Sequence, residues 1–374
     1  MTEEQAIFQR SVRVFLEKEA APLVAVAEDT RKFPVTFMRR LGELGYLCMR
    51  YGDDVGGAGA DHVIECMLHE ELARVCASFS AAALAHTAGS NAIYHFGSQA
   101  QREKYVVPAV RGEKIGAFSI TEPNAGSDVR GIQTTAKRDG DHYVLNGTKV
   151  FVSNGPIADF VTVAAYTDRS KGVRGISIFV VERGTPGFDQ TQRMRKMGFH
   201  SAETGIISIA DCRVPAANLI GEAEGGFERL MSVLDRNRII VAARHVGIAT
   251  LAYETAARYA KERMAFGKKI SDFQAVKFKL AEMATDLAAA RLLVYRGAEM
   301  LDRDEPCRKE ISMAKLFATE MSVRVSTDAV QILGGYGYTP EFPVERCLRD
   351  AHLGPIYDGT SNIQKVIIAR ELGF

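Results

Sequence analysis

Apolar residues recur at helical spacing from Glu3 to about Arg111. The stretches FQRSVRVFLEKEAAPLV and VIECMLHEELARVCASFSAAALA both have the period of an amphipathic helix, and the glycine-rich segment RYGDDVGGAGAD separates them. That segment contains G-x-G but no third glycine in step and no preceding strand, so it does not indicate a dinucleotide-binding fingerprint. The pattern predicts a helical N-terminal domain over residues 1–115.

The pattern changes to strand-like alternation after Gly116. The segments HYVLNG, FVTVAAYT, GISIFVVE and TGIISIADCRV alternate between apolar and polar positions. Turn signals separate them at Asp139-Gly140, Asn146-Gly147 and Thr185-Pro186-Gly187. We therefore expect a middle β domain over residues 116–222, a barrel or sandwich whose strands are joined by turns rather than by crossover helices.

The helical period returns in three long blocks after the segment IGEAEGGF. The blocks run from about Phe227 to Met264, Phe273 to Asp302 and Arg308 to Leu333, and the last stops at Gly334-Gly335. With a short helix after Ser361, they predict an antiparallel four-helix bundle over residues 223–374. The expected fold class is therefore α+β, with helical, β and helical domains in that order.

Composition narrows the functional classes. The 374 residues include 47 basic and 46 acidic side chains, a balance that argues against nucleic acid or a membrane surface as the main partner. The six cysteines and eight histidines lack the spacing of a metal site, so we expect reduced thiols, no metal and a cytoplasmic location. The N-terminus does not have the layout of a signal peptide, and no apolar run reaches the length of a membrane span.

One short stretch near the C-terminus, GPIYDGTSNIQKVIIAR, raises the question of what Asp358 does ahead of a helix. An aspartate before glycine can form a turn and cap the helix that follows. Here Ser361 and Gln364 form S-x-x-Q, the signature of a capping box for a helix that begins near Asn362. On this interpretation Asp358 is not needed as a cap.

Two segments of the β domain suit a flat polar ligand. The loop in AFSITEPNAGSD could present backbone amides and the hydroxyls of Thr121 and Ser127 to a ligand or phosphate, although an ordinary turn fits equally well. In KVFVSNG, Phe151 and Ser153 are two apart on one face of a strand. Taken alone, this second segment is better explained as a strand with one core phenylalanine.

Six ordered motifs across nearly the whole chain resemble the acyl-CoA dehydrogenase family. They are TEPNAGSD, LNGTKVFVSNG, ADCRVPAANLIGE, YAKERMAFGKKISDFQAVKFKLAEMA, QILGGYGYTPEFPVERCLRDA and IYDGTSNIQ. The resemblance implies a flavoprotein that holds FAD between its β domain and its C-terminal bundle, and that assembles as a homotetramer. It also implies an acyl-CoA substrate and an electron-transferring flavoprotein as electron acceptor.

The resemblance further assigns cofactor contacts. Those within one subunit are Phe118, Ile120, Thr121, Ser127, Phe151, Ser153, Thr360 and Asn362, with Ser153 on flavin N5. Those offered to the adenine end of a neighbouring subunit's FAD are Arg263, Phe266, Gln274, Gln331, Gly334 and Gly335. Ala265 stands where a polar side chain is common in the family, and Arg263 also fits a solvated arginine at a helix C-terminus.

The same resemblance makes Asp358 the catalytic base. Members of the family remove the proton α to a thioester while the β hydrogen leaves as hydride to the flavin, and most have glutamate in the place of Asp358. In a second subgroup the glutamate precedes an arginine on the first bundle helix, where this chain has Asn237 before Arg238. The implied substrate-side residues are Ser127, Asp235, Arg238 and Gly359.

Aspartate in the base position is shared with cyclohexane-carboxyl-type dehydrogenases and nitroalkane oxidases. The resemblance therefore favours a branched or alicyclic acyl-CoA, with a nitroalkane-type oxidase or a non-catalytic flavin-bearing scaffold as alternatives. Some residues also have structural interpretations. Asp235 and Arg238 could form an exposed helix ion pair. His86 could be a satisfied structural histidine in a loop, AHTAGSNAIYHFGS, bordering the acyl pocket.

Overall fold

The N-terminal region is helical, as predicted. The computed structural model describes residues 2–374, apart from the side chains of residues 233–235. The main helices here are α1 (Glu3–Phe15), α2 (Ala21–Thr30), α3 (Val35–Glu43), α4 (His62–Val75) and α5 (Ala77–Phe96), followed by the short α6 (Gln99–Gln101) and α7 (Val107–Val110). Extended backbone at Cys76 separates α4 from α5. The segment predicted as the loop AHTAGSNAIYHFGS lies mostly inside α5, so that prediction was wrong.

The middle region forms one curled, mixed sheet. Its strands are β1 (Gly116–Ser119), β2 (Thr135–Asp139), β3 (His142–Ser153), β4 (Phe160–Tyr166), β5 (Ile176–Glu182), β6 (Phe188–Arg193) and β7 (Thr204–Pro215). The order is β1-β4-β2-β3-β7-β6, with β5 also paired to β4. β4 pairs in parallel with β1 and β2, and the other pairs are antiparallel.

Two of the three predicted turns of this sheet are present, and one is not. Asp139-Gly140 joins β2 to β3 as a hairpin, and Phe188 N donates to Thr185 O across the third predicted turn. Asn146-Gly147 is not a turn, because both residues lie inside β3 at a register shift against β7. A Cβ on Gly147 would lie 2.3 Å from Thr134 Oγ1. The glycine therefore permits close strand approach at an irregular point of the ladder, rather than a chain reversal.

The C-terminal region contains the three long helices at nearly the predicted bounds. They are α8 (Gly226–Glu262), α9 (Gln274–Asp302) and α10 (Arg308–Leu333), and the hairpin β8 (Met264–Ala265) and β9 (Lys268–Lys269) follows α8. α10 ends at Gly334, whose φ of +61° suits glycine. The bundle prediction omitted α11 (Val344–Ala351), which packs against α8 and α10, whereas α12 (Ser361–Glu371) was expected.

Packing between the regions positions the candidate site. α4 and α5 both pack against α8, and α5 also packs against β1. The largest buried apolar cluster joins α4 to α8, α9 and α10. All six cysteines are free and buried. No helix in residues 2–374 is long and apolar enough to cross a membrane, and no cluster suited to a metal ion lies among the described side chains.

Candidate active site

The loop between α11 and α12, residues 352–360, presents Asp358 in an uncommon backbone conformation. Asp358 has φ +50°, a left-handed conformation that aspartate tolerates better than most residues. Gly359 follows with φ +85°, and a Cβ there would lie 2.6 Å from the Gln364 amide nitrogen. Glycine at 359 therefore allows the chain to turn tightly against α12 directly after Asp358.

The cap of α12 differs from the predicted capping box. Thr360, not Ser361, is the N-cap, and its side-chain oxygen accepts from Ile363 N at 3.3 Å. Gln364 turns back and donates to Gly359 O at 2.9 Å. The prediction failed because α12 begins one residue earlier than expected. The conclusion that Asp358 is not needed to cap α12 still holds, since Thr360 is the N-cap.

Three cations act electrostatically on the carboxyl group of Asp358. Removal from bulk water raises the pKa of Asp358, and the positive charges of Arg244, Lys315 and Arg238 each act to lower it. The net direction is upward. Neither Arg244 nor Lys315 has a carboxylate within 4 Å among the described side chains. The result is a carboxylate with a raised pKa inside a region of positive potential.

Arg244 is anchored by a buried polar network. Its Nε donates to Ser80 Oγ at 3.0 Å, and one terminal nitrogen donates to the Tyr357 hydroxyl at 2.8 Å. His69 shares a hydrogen bond with Ser80 Oγ at 2.9 Å. Burial lowers the pKa of His69 well below its ordinary value and raises that of Tyr357 to about 12, so both side chains are neutral at pH 7. Arg244 thus carries the charge of this network.

The first helix of the bundle contributes two neighbouring polar residues. Arg238 is buried, and its Nε lies 3.6 Å from the position of a Cβ on Gly359. Arg238 is therefore not exposed, because the helix turns this face toward the α11–α12 loop, whereas its pairing with Asp235 stays a prediction. Asn237 is 4% exposed, and its Oδ1 has no hydrogen-bond partner in the described structure. The predicted contact of Asp235 lies outside the side chains that the structure describes.

A buried ion pair fixes the TEPNAGSD loop to β3. Lys149 on β3 is fully buried and donates to Glu122 Oε1 at 2.7 Å and to Ile120 O at 3.2 Å. Thr134 donates to the same carboxylate through its hydroxyl at 2.6 Å and its amide at 3.0 Å. Val150 N also donates to Thr121 O at 2.9 Å. These bonds determine where the loop stands relative to the strand that carries Phe151 and Ser153.

The predicted ligand-facing residues of the β domain lie at this junction. Phe118 and Ile120 are partly buried, alternating with buried Ala117 and Ser119, and Thr121 is also partly buried. Ser127 is exposed. On β3, Phe151 is 63% exposed and has φ +57°, whereas Val152 is buried. Ser153 is half-buried on the side away from Val152. An exposed phenylalanine in a strained backbone conformation fits a surface that binds a planar ligand.

The residues expected to serve a neighbouring subunit form a separate group at the other end of the bundle. Arg263, Gly334 and Gly335 line a cavity of about 540 Å³. Phe266 is 95% exposed, and Gln274 and Gln331 are also exposed. No atom lies within 4 Å of a Cβ position on Gly334 or Gly335. Arg263 is exposed at the end of α8, which fits both interpretations of it.

Several of these polar residues were missed from the sequence. They are Glu122, Lys149, Arg244 and Lys315. The signal that could have found the buried cations is a lysine or arginine at a position where helical spacing predicts a buried apolar residue. Lys315, between Ile311 and Ala318 on one face of α10, is an example. His86 fits the structural interpretation, because its ring bonds Ala109 O at 3.0 Å and accepts from Gly116 N at 3.2 Å. Burial lowers the pKa of His86 to about 4.

Comparison with known proteins gives one consistent result. Family models described as the N-terminal, middle and C-terminal domains of acyl-CoA dehydrogenase match residues 2–113, 117–212 and 224–373. The chain is 40% identical to a short-chain specific acyl-CoA dehydrogenase of Clostridium acetobutylicum, over 100% of this chain and 98% of the relative.

Two solved structures extend the comparison. The butyryl-CoA dehydrogenase structure from Megasphaera elsdenii superposes with a TM-score of 0.95 at 40% identity, covering 100% of this chain and 98% of that one. A chain from the structure described as the electron transferring flavoprotein of Acidaminococcus fermentans superposes with a TM-score of 0.97 at 40% identity, with the same coverage.

Proposed function

The chain belongs to the acyl-CoA dehydrogenase family, and on that premise we propose that Asp358 is the base of an acyl-CoA α,β-dehydrogenation. The protein is an FAD-dependent oxidoreductase of the family fold. The observation that carries the proposal is the environment of Asp358, whose carboxyl group has a raised pKa and feels the positive charges of Arg238, Arg244 and Lys315. A carboxylate with a raised pKa is a stronger base than one in water.

The residues present fit FAD. Phe151 offers an exposed aromatic ring beside the half-buried Ser153. Thr360 and Asn362 stand at the start of α12, where Thr360 already caps the helix and Asn362 is exposed. At the far end of the bundle, Gly334 and Gly335 leave room for a ligand to approach the backbone. When bound, FAD supplies the acceptor for the β hydride.

The chain's own residues would handle the α proton. Asp358 takes the proton from the carbon next to the thioester carbonyl, and negative charge then develops toward the carbonyl oxygen. The cations Arg238, Arg244 and Lys315 lower the free-energy cost of that charge, because they sit in a partly desolvated site where electrostatic interactions are stronger than in water. Ser127, Asp235, Arg238 and Gly359 are the residues we assign to the substrate side.

The substrate class follows from the base. Aspartate is one methylene shorter than glutamate, and a displacement of about 1 Å can cost on the order of a hundredfold in rate. Asn237, in the alternative base position, is a neutral amide. Of the two positions in which the family places its base, only 358 therefore has a carboxylate in this chain. We propose a branched or alicyclic acyl-CoA as the preferred substrate. Because relatives are named for short-chain and butyryl substrates, a straight short-chain acyl-CoA is the substrate against which branched and alicyclic esters must be compared.

The electron acceptor and the assembly are also proposals. An electron-transferring flavoprotein is supported as acceptor by the neighbour from the Acidaminococcus structure. A homotetramer is supported by exposed Phe266 and by the open cavity near Arg263, which a single chain does not fill. The domain bounds 1–115, 116–222 and 223–374, and a cytoplasmic location consistent with six free thiols, belong to the same proposal.

The test is anaerobic stopped-flow reduction of bound flavin by a panel of straight, branched and cyclohexane-type acyl-CoAs. Wild-type protein, Asp358→Asn and Asp358→Glu would be compared. We expect wild type to bleach fastest with a branched or cyclic ester and Asp358→Asn to lose at least a hundredfold, on the order of a displaced or missing base. Asp358→Asn keeps the size of the side chain, so equal flavin content in both proteins is the control.

Three results would contradict parts of the proposal. Faster reduction by butyryl-CoA or octanoyl-CoA than by ring or branched esters would refute the substrate class. Undiminished reduction by Asp358→Asn would refute the base. If no ester reduces the flavin even in Asp358→Glu, dehydrogenation itself is wrong, and rapid reoxidation of reduced flavin by oxygen would then identify an oxidase.

A further inference from the structure

A buried lysine holds both ends of the segment that carries Asp358. Lys315 on α10 is fully buried, and its Nζ donates to Gly354 O and to Gly359 O at 2.8 Å each. The two carbonyls stand four residues before and one residue after Asp358. One ammonium group therefore joins the start and the end of this short segment.

Local turns also hold this segment, since Ile356 N and Tyr357 N donate to Leu353 O at 3.0 and 3.2 Å. The Tyr357 hydroxyl accepts from Arg244 at 2.8 Å. Gly359 O also accepts from Gln364, whereas the carbonyl of Gly354 has Lys315 as its side-chain donor. Gly354 itself fits closely between α8 and α10, since a Cβ there would lie 2.5 Å from His245 Cε1 and 2.8 Å from Thr319 Cβ. Ile356, within the segment, is 63% exposed. Beyond these local contacts, Lys315 is the side chain that bonds both ends of the segment, the carbonyls of Gly354 and Gly359.

A buried lysine is costly unless something requires it. Moving an ammonium group out of water is unfavourable, and Lys315 has no carboxylate within 4 Å among the described side chains to offset that cost. Burial lowers the pKa of Lys315 to about 8, and the negative charge of Asp358 acts in the opposite direction. A methionine of similar length would pack at this position without the penalty. The charge and the two hydrogen bonds are what the lysine adds.

We propose that Lys315 is a positioning residue that fixes the segment 354–359 through two carbonyls and holds positive charge beside Asp358. This inference rests on the proposed role of Asp358 as base. Lys315 does not need to touch substrate or cofactor in this role. It acts by setting where the carboxylate stands and how readily it is ionised.

The effect of the Lys315 charge on Asp358 must be distinguished from the effects of the other charged and titratable groups nearby. From α8 come Arg238 and Arg244, and from α10 comes Lys315. Burial keeps His245 neutral by lowering its pKa well below the ordinary value, and burial raises the pKa of Tyr357 to about 12. Glu320 on α10 acts on Lys315. Among these neighbours, Lys315 can be neutralised while both arginines stay in place.

Two variants separate charge from geometry. Lys315→Met removes both the charge and the two hydrogen bonds, and Lys315→Arg keeps the charge but changes the shape of the donor. Lys196→Met is the matched control. Lys196 is a partly buried lysine with a pKa lowered to about 8 by burial, and it donates to one carbonyl, that of Ala202, at 2.8 Å. Lys196 is not among the charges that act on Asp358.

The first measurement is the pH dependence of anaerobic flavin reduction. Asp358 must be ionised to act, and removing a nearby cation raises its pKa. The acidic limb of the rate profile should therefore move to higher pH by about one unit in Lys315→Met. Lys315→Arg and Lys196→Met should keep the wild-type midpoint. A uniform loss of rate in Lys315→Met with an unmoved midpoint would overturn the charge role.

The second measurement does not depend on turnover. Hydrogen–deuterium exchange of the holoenzyme should show at least tenfold faster exchange for amides of residues 354–361 in Lys315→Met, with peptides of the β domain unchanged. Wild-type protection of this peptide in Lys315→Met would overturn the positioning role. If wild type reduces no flavin with any thioester, the proposed function fails, and the exchange result still decides whether Lys315 fixes the loop.

Discussion

Neutralising Glu122 should destabilise the β domain and weaken its hold on the flavin. Glu122 accepts hydrogen bonds from Lys149, from the hydroxyl and amide of Thr134, and from the amide of Gln133. In Glu122→Gln, one oxygen becomes an NH₂ group that faces a donor. The substitution also leaves the fully buried Lys149 without the carboxylate that balances its charge.

The magnitude follows from that burial. Breaking a buried ion pair by removing one partner typically costs about 3–5 kcal/mol. Burial lowers the pKa of Lys149 to about 8, and Glu122 opposes that shift, so the variant lysine should lose its proton at still lower pH. Unfolded lysine stays charged to about pH 10.4. The cost of deprotonating Lys149 on folding therefore falls as pH rises, and the destabilisation should shrink between pH 7 and pH 10.

The assay is urea unfolding followed by far-UV circular dichroism, together with the fraction of flavin retained after gel filtration. The double variant Glu122→Gln/Lys149→Met removes both charges and should recover part of the loss. Asp139→Asn is the surface control, because the Arg213–Asp139 pair is more than half exposed and should contribute less than about 1 kcal/mol. Equal unfolding midpoints for Glu122→Gln and wild type at pH 7 would refute the reasoning, as would a double variant less stable than the sum of the single changes.

Two further predictions concern Asp350 on α11 and Gly354 in the α11–α12 loop. Burial, and then the charge of Glu28, raise the pKa of Asp350 to about 7, so Asp350→Asn should stabilise the fold by up to about 4 kcal/mol above pH 7. Because the unfolded carboxyl ionises near pH 3.8, this advantage should grow from about pH 4 to pH 7, and a pH-independent effect in thermal unfolding would contradict it. Gly354→Ala should cost about 1–3 kcal/mol and slow flavin reduction, since its Cβ would overlap His245, whereas Gly335→Ala, with open space around it, should leave stability nearly unchanged.

Hydrophobic periodicity was sufficient to locate most of the elements. The three long helices α8, α9 and α10 fall close to their predicted bounds because each carries a sustained apolar stripe over many turns. Local signals were less reliable where two interpretations share one signature. Asn146-Gly147 is a common hairpin turn in sequence, yet cross-strand pairing with β7 keeps it inside β3. α11 was missed because it has only eight residues.

The sequence by itself determined the order of the three regions, the family resemblance and the candidacy of Asp358. It could not show that Arg244 and Lys315, 114 and 43 positions earlier in the chain, act on that carboxylate. Nor could it pair Glu122 with Lys149 across the sheet. A pKa depends on burial and on charges brought together by packing, and these are properties of the folded chain rather than of any local pattern. Only the tertiary structure made Asp358 a perturbed carboxylate among buried cations.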